Sequence, residues 1–246
     1  VPVAHLFIGQ AEDGDAPLSA NNEKIVIEAE TRLPTRQGSF RMVVFHANDL
    51  PGEHIAMIKG DVSKARDLPV RVHSECLTSE VLGSLKCDCR EQLHSALAQI
   101  ERAGRGMVIY LRQEGRGIGL INKVRAYALQ ELGADTIEAN ELLGLPVENR
   151  RYDAAAEVLK WFGVESIKLI TNNPDKLQQL RDLGIKVTGR IPVIVAANPH
   201  SAGYLKVKRE RMDHLLAPVP EVASTNEGEA KAAADLELEP RLEVAG

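Results

Sequence analysis

The sequence predicts an α/β protein: a mixed sheet with packed helices, strand-rich in its N-terminal part and alternating helix with strand in its C-terminal part. From about Glu23 to Cys76, short β-branched runs are separated by Pro, Gly and Asp turns. After Cys89, helical periodicity alternates with short apolar runs. The composition, 44% hydrophobic and 26% charged over 246 residues, is that of an ordinary globular chain able to bury a substantial core. Strands first and alternation later point to one domain of two packed lobes.

The candidate strands are KIVIEAETRL, SFRMVVFHA, EHIAMIKG and PVRVHSEC. REQLHSALAQIERAG has apolar residues at helical spacing and stops on Gly104. GMVIYL is a short apolar strand, and INKVRAYALQELG is a second amphipathic helix stopping on Gly133. RYDAAAEVLKWFG reads as a third helix and SIKLIT as a strand. PDKLQQLRDLG is a helix opened by Pro174, whose fixed φ suits the first helical position. IKVTGRIPVIV is the next strand and AGYLKVKRERMDHLLA the last helix. The chain contains no internal repeat.

Charge separates the ends from the body. From Pro218 onward seven acids face only Lys231 and Arg241, so the tail carries the whole net charge of −5. Such a segment cannot bury enough apolar surface to order itself. We expect a flexible N-terminal segment at 1–22, a folded domain at 23–217 and an acidic disordered tail at 218–246. Deleting everything after Ala217 is expected to leave activity and melting temperature nearly unchanged, measured side by side with the full chain. No apolar run approaches a membrane span, and no basic patch suggests a nucleic-acid partner. VPVAHLFIGQAEDGD lacks the basic start and apolar stretch of a secretory signal, and it lacks an initiator Met, which predicts a processed or trimmed start. A cytoplasmic protein with reduced thiols is expected.

All three cysteines, Cys76, Cys87 and Cys89, fall within the fourteen residues CLTSEVLGSLKCDC. Free Cys is often just a small buried hydrophobe. Clustering in a chain otherwise without sulfur favours a metal centre, since thiolates are strong zinc ligands. A structural zinc site has four protein ligands, and His73 and His94 are the nearest candidates for a fourth. If neither reaches the ion, the position is open and the site is catalytic. Spacing alone leaves both alternatives standing.

A second stretch, YLRQEGRGIGLINK, runs from a strand through a Gly-rich turn into a helix. Gly115, Gly117 and Gly119 allow close backbone approach, and Arg112 and Arg116 supply cationic forks for phosphate. It matches neither common nucleotide-loop pattern.

RVHSECLTSEVLGSLKCDC, LRQEGRGIGLINKVRAYALQELGADTIEAN, ITNNPDK and NPHSAGYLKVK with MDHLL resemble, in order, the signatures of the GTP cyclohydrolase II family. The resemblance runs from about Glu28 to Leu216 and makes 23–217 a catalytic domain of that kind. It implies a zinc enzyme, one ion per chain, that opens the imidazole ring of GTP. Formate and pyrophosphate leave, and a diamino(phosphoribosylamino)pyrimidinone, the first product of riboflavin biosynthesis, remains. It implies Mg²⁺ with the triphosphate and a homodimer. With little sequence ahead of Glu28, the resemblance is expected not to extend to the synthase domain fused in some relatives.

Residue by residue, the resemblance makes Cys76, Cys87 and Cys89 the zinc ligands. It makes Arg71, Val72, His73, Ser74, Glu75, Gln92, Glu114, Gly115, Arg116, Thr136, Thr171 and Lys176 the GTP-binding positions. Tyr127 stands beside the reacting ring, Arg150 matches the proposed nucleophile toward the α-phosphorus, and Glu148 replaces the family's aspartate proton acceptor. From the residues alone, Thr136 also reads as a helix cap, Tyr127 as core and Arg150 as a solvated arginine. Arg151, Ser79 and Arg90 are further departures, the last two standing where the family favours glycine.

The implied chemistry poses one electrostatic problem. Three thiolates on Zn²⁺ leave a formal charge of −1, which acidifies water less than three neutral imidazoles do, where the pKa falls to about 7. A nearby donor or base is therefore expected to assist, and Tyr127 is the candidate. Two other readings are a paralogue in a secondary pathway giving a formylated product, and a non-catalytic zinc-stapled protein that binds GTP. Product analysis separates them, and formate release from GTP is the first test.

Overall fold

The computed structural model describes residues 24–195 except 49, 147 and 194. The predicted last helix, the NPHSAGYLKVK and MDHLL motifs, and both end segments lie outside the described residues. Among the described residues seven strands form one sheet: β1 (Ile25–Thr35), β2 (Gly38–Ala47), β3 (Leu50–Lys59), β4 (Leu68–Ser74), β5 (Gly106–Leu111), β6 (Ile167–Ile170) and β7 (Val187–Ile191). Their order is β1-β2-β3-β5-β4-β6-β7. The first three form an antiparallel meander that joins β5 antiparallel, while β5, β4, β6 and β7 run parallel. The mixed α/β class is as predicted. The two lobes are not: β3 pairs directly with β5, so the two styles of segment are halves of one sheet.

Among the described residues six α-helices accompany the sheet: α1 (Leu77–Glu80), α2 (Cys89–Ala103), α3 (Gly119–Glu131), α4 (Thr136–Leu142), α5 (Asp153–Trp161) and α6 (Pro174–Asp182). The punctuation read from the sequence holds locally. Gly104 ends α2 in the left-handed conformation at φ 69°, and α6 opens with Asn173 capping Asp175 N–H ahead of Pro174. The sequence did not predict α1 or α4, both short. Helix α4 is opened by a capping box between Asp135 and Glu138.

Strand alternation assigns the faces. Leu68, Val70 and Val72 of β4, with Met107, Ile109 and Leu111 of β5, enter the main core beneath α5 and Leu180 of α6. Val108 turns the other way, against Ala96, Leu97 and Ile100 of α2. Arg71, His73 and Tyr110 alternate out of the main core, and the register pairs His73 with Tyr110. From β4 the chain crosses to β5 on one side, and later returns to β6 on the other. The crevice outside the carboxyl ends of these strands is where such a reversal places a site.

Candidate active site

A cavity of about 500 Å³ opens at those strand ends. The three cysteines line it, and their sulfurs lie within 4.8 Å of one another. The Cys76 and Cys87 Sγ atoms are 3.6 Å apart, far beyond a disulfide bond of about 2.05 Å. Two thiolates about 2.3 Å from one tetrahedral ion would stand about 3.8 Å apart, so the donor set fits zinc. Among the described residues no His, Asp or Glu joins the cluster. His73 turns to Glu80 instead, with Nε2 2.7 Å from Oε1, and His94 is exposed. Three protein ligands and an open position are the donor pattern of a catalytic ion.

The cysteine loop is closed by two of the sequence's departures. The buried Ser79 Oγ accepts the Arg90 backbone N–H at 3.2 Å, tying α1 to the start of α2. Beneath it, Glu80 receives both the Tyr110 hydroxyl, at 2.6 Å, and His73. Burial, ahead of the opposing Glu80 hydrogen bond, pushes the His73 pKa down, so the ring is neutral and its Nε2–H donates.

A cation missed in the sequence reading stands against the sulfurs. Lys123 Nζ is 3.1 Å from Cys76 Sγ, 2.8 Å from Thr78 Oγ1 and 2.8 Å from Glu114 Oε1. Burial opposes its charge, but the Glu114 hydrogen bond and the Cys76 sulfur outweigh burial and hold its pKa above the usual range. The Cys76 thiol is held far below its ordinary pKa, chiefly by hydrogen bonds from the Cys87 and Cys89 thiols, with Lys123 adding to the effect. Tyr127 lies alongside, its ring 5.0 Å from Lys86 Nζ and 5.8 Å from Lys123 Nζ. Burial, partly offset by Lys123, pushes its pKa up to about 12. It is a donor at neutral pH.

The remaining predicted residues divide by what their side chains touch. Arg71, 6% exposed, donates to the Ile170 carbonyl and to Gln92 Oε1, and Gln92 donates in turn to Asp88. Ser74 accepts from Gln113, and Thr171 accepts the Asn173 N–H. Lys176 reaches back to the Val72 carbonyl at 2.9 Å and covers the Tyr152 ring. Arg71, His73, Ser74, Glu75, Gln92, Glu114, Gly115, Arg116, Thr136, Thr171 and Lys176 all line the cavity. Val72 does not, since its side chain belongs to the main core. Thr136 follows the capping residue Asp135, so it is not the cap.

Arg112 corrects the reading of the Gly-rich stretch. It is exposed, turned toward Glu75 at 3.8 Å, and outside the cavity lining. Arg116, at φ 59° between Gly115 and Gly117, is the arginine that faces in. Gly117 also lets the next segment approach, because a Cβ there would stand 2.4 Å from the Asn149 carbonyl oxygen. The Asn149 N–H bonds the Arg116 carbonyl at 3.0 Å, and Arg150 follows. Glu148 grips that arginine: Oε1 takes Arg150 Nε at 2.6 Å and its backbone N–H at 3.0 Å, and Oε2 takes Nη2. Arg151 pairs instead with Asp153, so the adjacent cations part. Burial works against the Glu148 carboxylate, but the Arg150 hydrogen bonds and charge prevail and hold its pKa below the ordinary value.

Comparison with known proteins agrees with this arrangement. The family described as GTP cyclohydrolase II matches residues 26–192. The chain belongs to the GTP cyclohydrolase II family. It is 55% identical over 187 residues to the GTP cyclohydrolase-2 of Picrophilus torridus, covering 76% of this chain and 97% of that one. To the GTP cyclohydrolase-2 of Histophilus somni it is 47% identical over 193 residues, covering 78% and 89%. It is also 50% identical over 189 residues to the riboflavin biosynthesis protein RibBA of Bacillus cereus, covering 77% of this chain and 48% of that one. The chain thus spans about half the length of the RibBA relatives. Family membership makes it an enzyme of the GTP cyclohydrolase II type. No helix among the described residues is long and apolar enough to cross a membrane.

One substitution tests how the Gly-rich turn supports Arg150. Gly117→Ala places a methyl on the Asn149 carbonyl at φ 88°, where an L-residue is already strained by roughly 1–2 kcal/mol. Catalytic turnover is expected to fall about 10²-fold, the cost of an ångström-scale displacement, measured side by side with the parent chain. Gly119→Ala is the comparator: φ is 84°, yet nothing lies within 4 Å of its Cβ, so it should show only the strain, as a lower melting temperature.

Proposed function

We propose that this chain is a zinc-dependent GTP cyclohydrolase II that opens the imidazole ring of GTP. Formate and pyrophosphate leave, and a diamino(phosphoribosylamino)pyrimidinone enters riboflavin synthesis. One observation carries the reading: three sulfurs that fit a metal and an arginine held by a carboxylate line the same cavity. Hydrolysing a ring carbon and displacing a phosphoryl group need different machinery, and the lining offers candidate residues for each. Zinc at Cys76, Cys87 and Cys89 would supply an acidified water for the hydrolytic steps. Tyr127, protonated with a pKa of about 12, is suited to donate to a ring nitrogen as the ring opens.

For the phosphate half, Arg150 acts as a stabilising cation. Its conversion to a nucleophile would require Glu148 to take a guanidinium proton. Ordinary pKa values of about 4.3 and above about 12 separate the two groups by roughly eight pK units, or about 11 kcal/mol. The depressed pKa of Glu148 widens that gap. A bidentate carboxylate instead fixes the fork toward the α-phosphoryl group, where charge stabilisation is effective. Arg116 and Lys176 supply further positive charge at the lining, and Mg²⁺ accompanies the triphosphate.

In the same reading the catalytic domain extends over 23–217, and the protein is a cytoplasmic homodimer. The deciding experiment incubates zinc-loaded protein with GTP and Mg²⁺ and follows formate and pyrophosphate separately. Equimolar release supports the proposal. Pyrophosphate without formate indicates the formylated-product paralogue, and neither product indicates a binding protein.

A further inference from the structure

We propose that Lys123 is a positioning residue of the cysteine centre. Its ammonium is a fixed cationic donor to the Cys76 sulfur, and it holds that sulfur to α3. The inference rests on the zinc reading above and names the donor that a site of formal charge −1 requires. An ammonium has three N–H donors, and here they meet Cys76 Sγ, Thr78 Oγ1 and Glu114 Oε1 at 3.1, 2.8 and 2.8 Å. With every donor committed and the side chain 11% exposed, the charge has little freedom to move.

Glu114 completes the device. Its Oε1 also accepts the Gly115 N–H at 2.7 Å, and its Oε2 accepts the Leu77 N–H at 2.7 Å. The carboxylate therefore clamps the first residue after Cys76 to the turn after β5, and Lys123 closes the clamp onto the sulfur itself. An N–H···S bond draws electron density from a thiolate and weakens its donation to a metal. With the Glu114 carboxylate bonded to the same ammonium the formal charge of the whole group stays at −1, so Lys123 acts locally, as the cationic donor in direct contact with the Cys76 sulfur. Lys123 also stands 5.8 Å from the Tyr127 ring, so it shapes the electrostatics of the proposed proton donor.

The test exchanges zinc for Co²⁺ and records the thiolate-to-cobalt charge-transfer band, with zinc affinity measured by chelator competition. In Lys123→Met the band is expected to move to longer wavelength, because the sulfur lone pair loses its donor. Zinc affinity should nevertheless fall about 10–100-fold, because the Cys76 loop loses the contacts that position its sulfur, and formate release should fall with little change in KM for GTP. Lys123→Arg, which keeps a cationic donor, should restore most of the band position and affinity. The double variant Glu114→Gln with Lys123→Met leaves no unpaired buried carboxylate, and it should match Lys123→Met in band position and zinc affinity, the two readouts that report the sulfur contact. An unchanged cobalt spectrum and zinc affinity in both methionine variants would overturn the proposal. Absence of metal binding at the cysteines in the parent chain would remove the zinc reading, and this inference with it.

Discussion

Cys87→Ser is expected to empty the metal centre and stop formate release. Purified parent protein should hold about one zinc per chain, and the variant close to none. Cys87 is 5% exposed, and its sulfur is one of three that fit a single ion. A serine hydroxyl is a harder and far less acidic donor, and two thiolates plus an alcohol bind a borderline-soft ion poorly. The loss in affinity should exceed the roughly 100-fold typical of removing an outer hydrogen-bond partner. Pyrophosphate release should survive in part, because Arg150 is held by Glu148 and not by the cysteine loop. Metal analysis and the two product assays on the same preparation check this. Full zinc content with unchanged formate production would sink the metal assignment.

The second large effect is at the phosphate end. Arg150→Ala should abolish pyrophosphate release, a fall on the order of 10³-fold or more, as for other arginines that stabilise phosphoryl transfer. Glu148 should be far more tolerant. Its carboxylate makes side-chain and backbone contacts with Arg150, and a charge-assisted contact accepts more than one geometry. Glu148→Asp should remain within roughly tenfold of the parent, about 1.4 kcal/mol. Glu148→Gln retains a carbonyl acceptor for Arg150 Nε and should keep measurable turnover. Steady-state pyrophosphate and formate release, followed separately for each variant, decide the matter. A Glu148→Gln variant as inactive as Arg150→Ala, with normal GTP and zinc binding, would make proton acceptance by this carboxylate the better account.

Much of this protein was legible because the signals are local. Gly104 and Pro174 mark helix ends through backbone conformations that glycine and proline alone favour, and both mark them in the structure. Clustered sulfur pointed to a candidate metal site without any knowledge of the fold, and the three sulfurs do converge. Arg112 and Arg116 could not be told apart by residue type, and only the path of the chain after β5 turned one outward and the other into the cavity.

The sequence by itself determined the α/β class, most element boundaries, the family and the three sulfurs. Tertiary structure decided that the strand-rich and alternating parts share one sheet, and that neither His73 nor His94 joins the cysteines. It also decided that a lysine forty-seven residues from Cys76 meets its sulfur, and that a glutamate thirty-seven residues from Leu77 clamps the loop. The physical reason is range. Helix and strand periodicities report a residue's neighbours within a few positions, whereas these contacts arise because β4 and β5 lie side by side and deliver the chain that follows them to the same crevice.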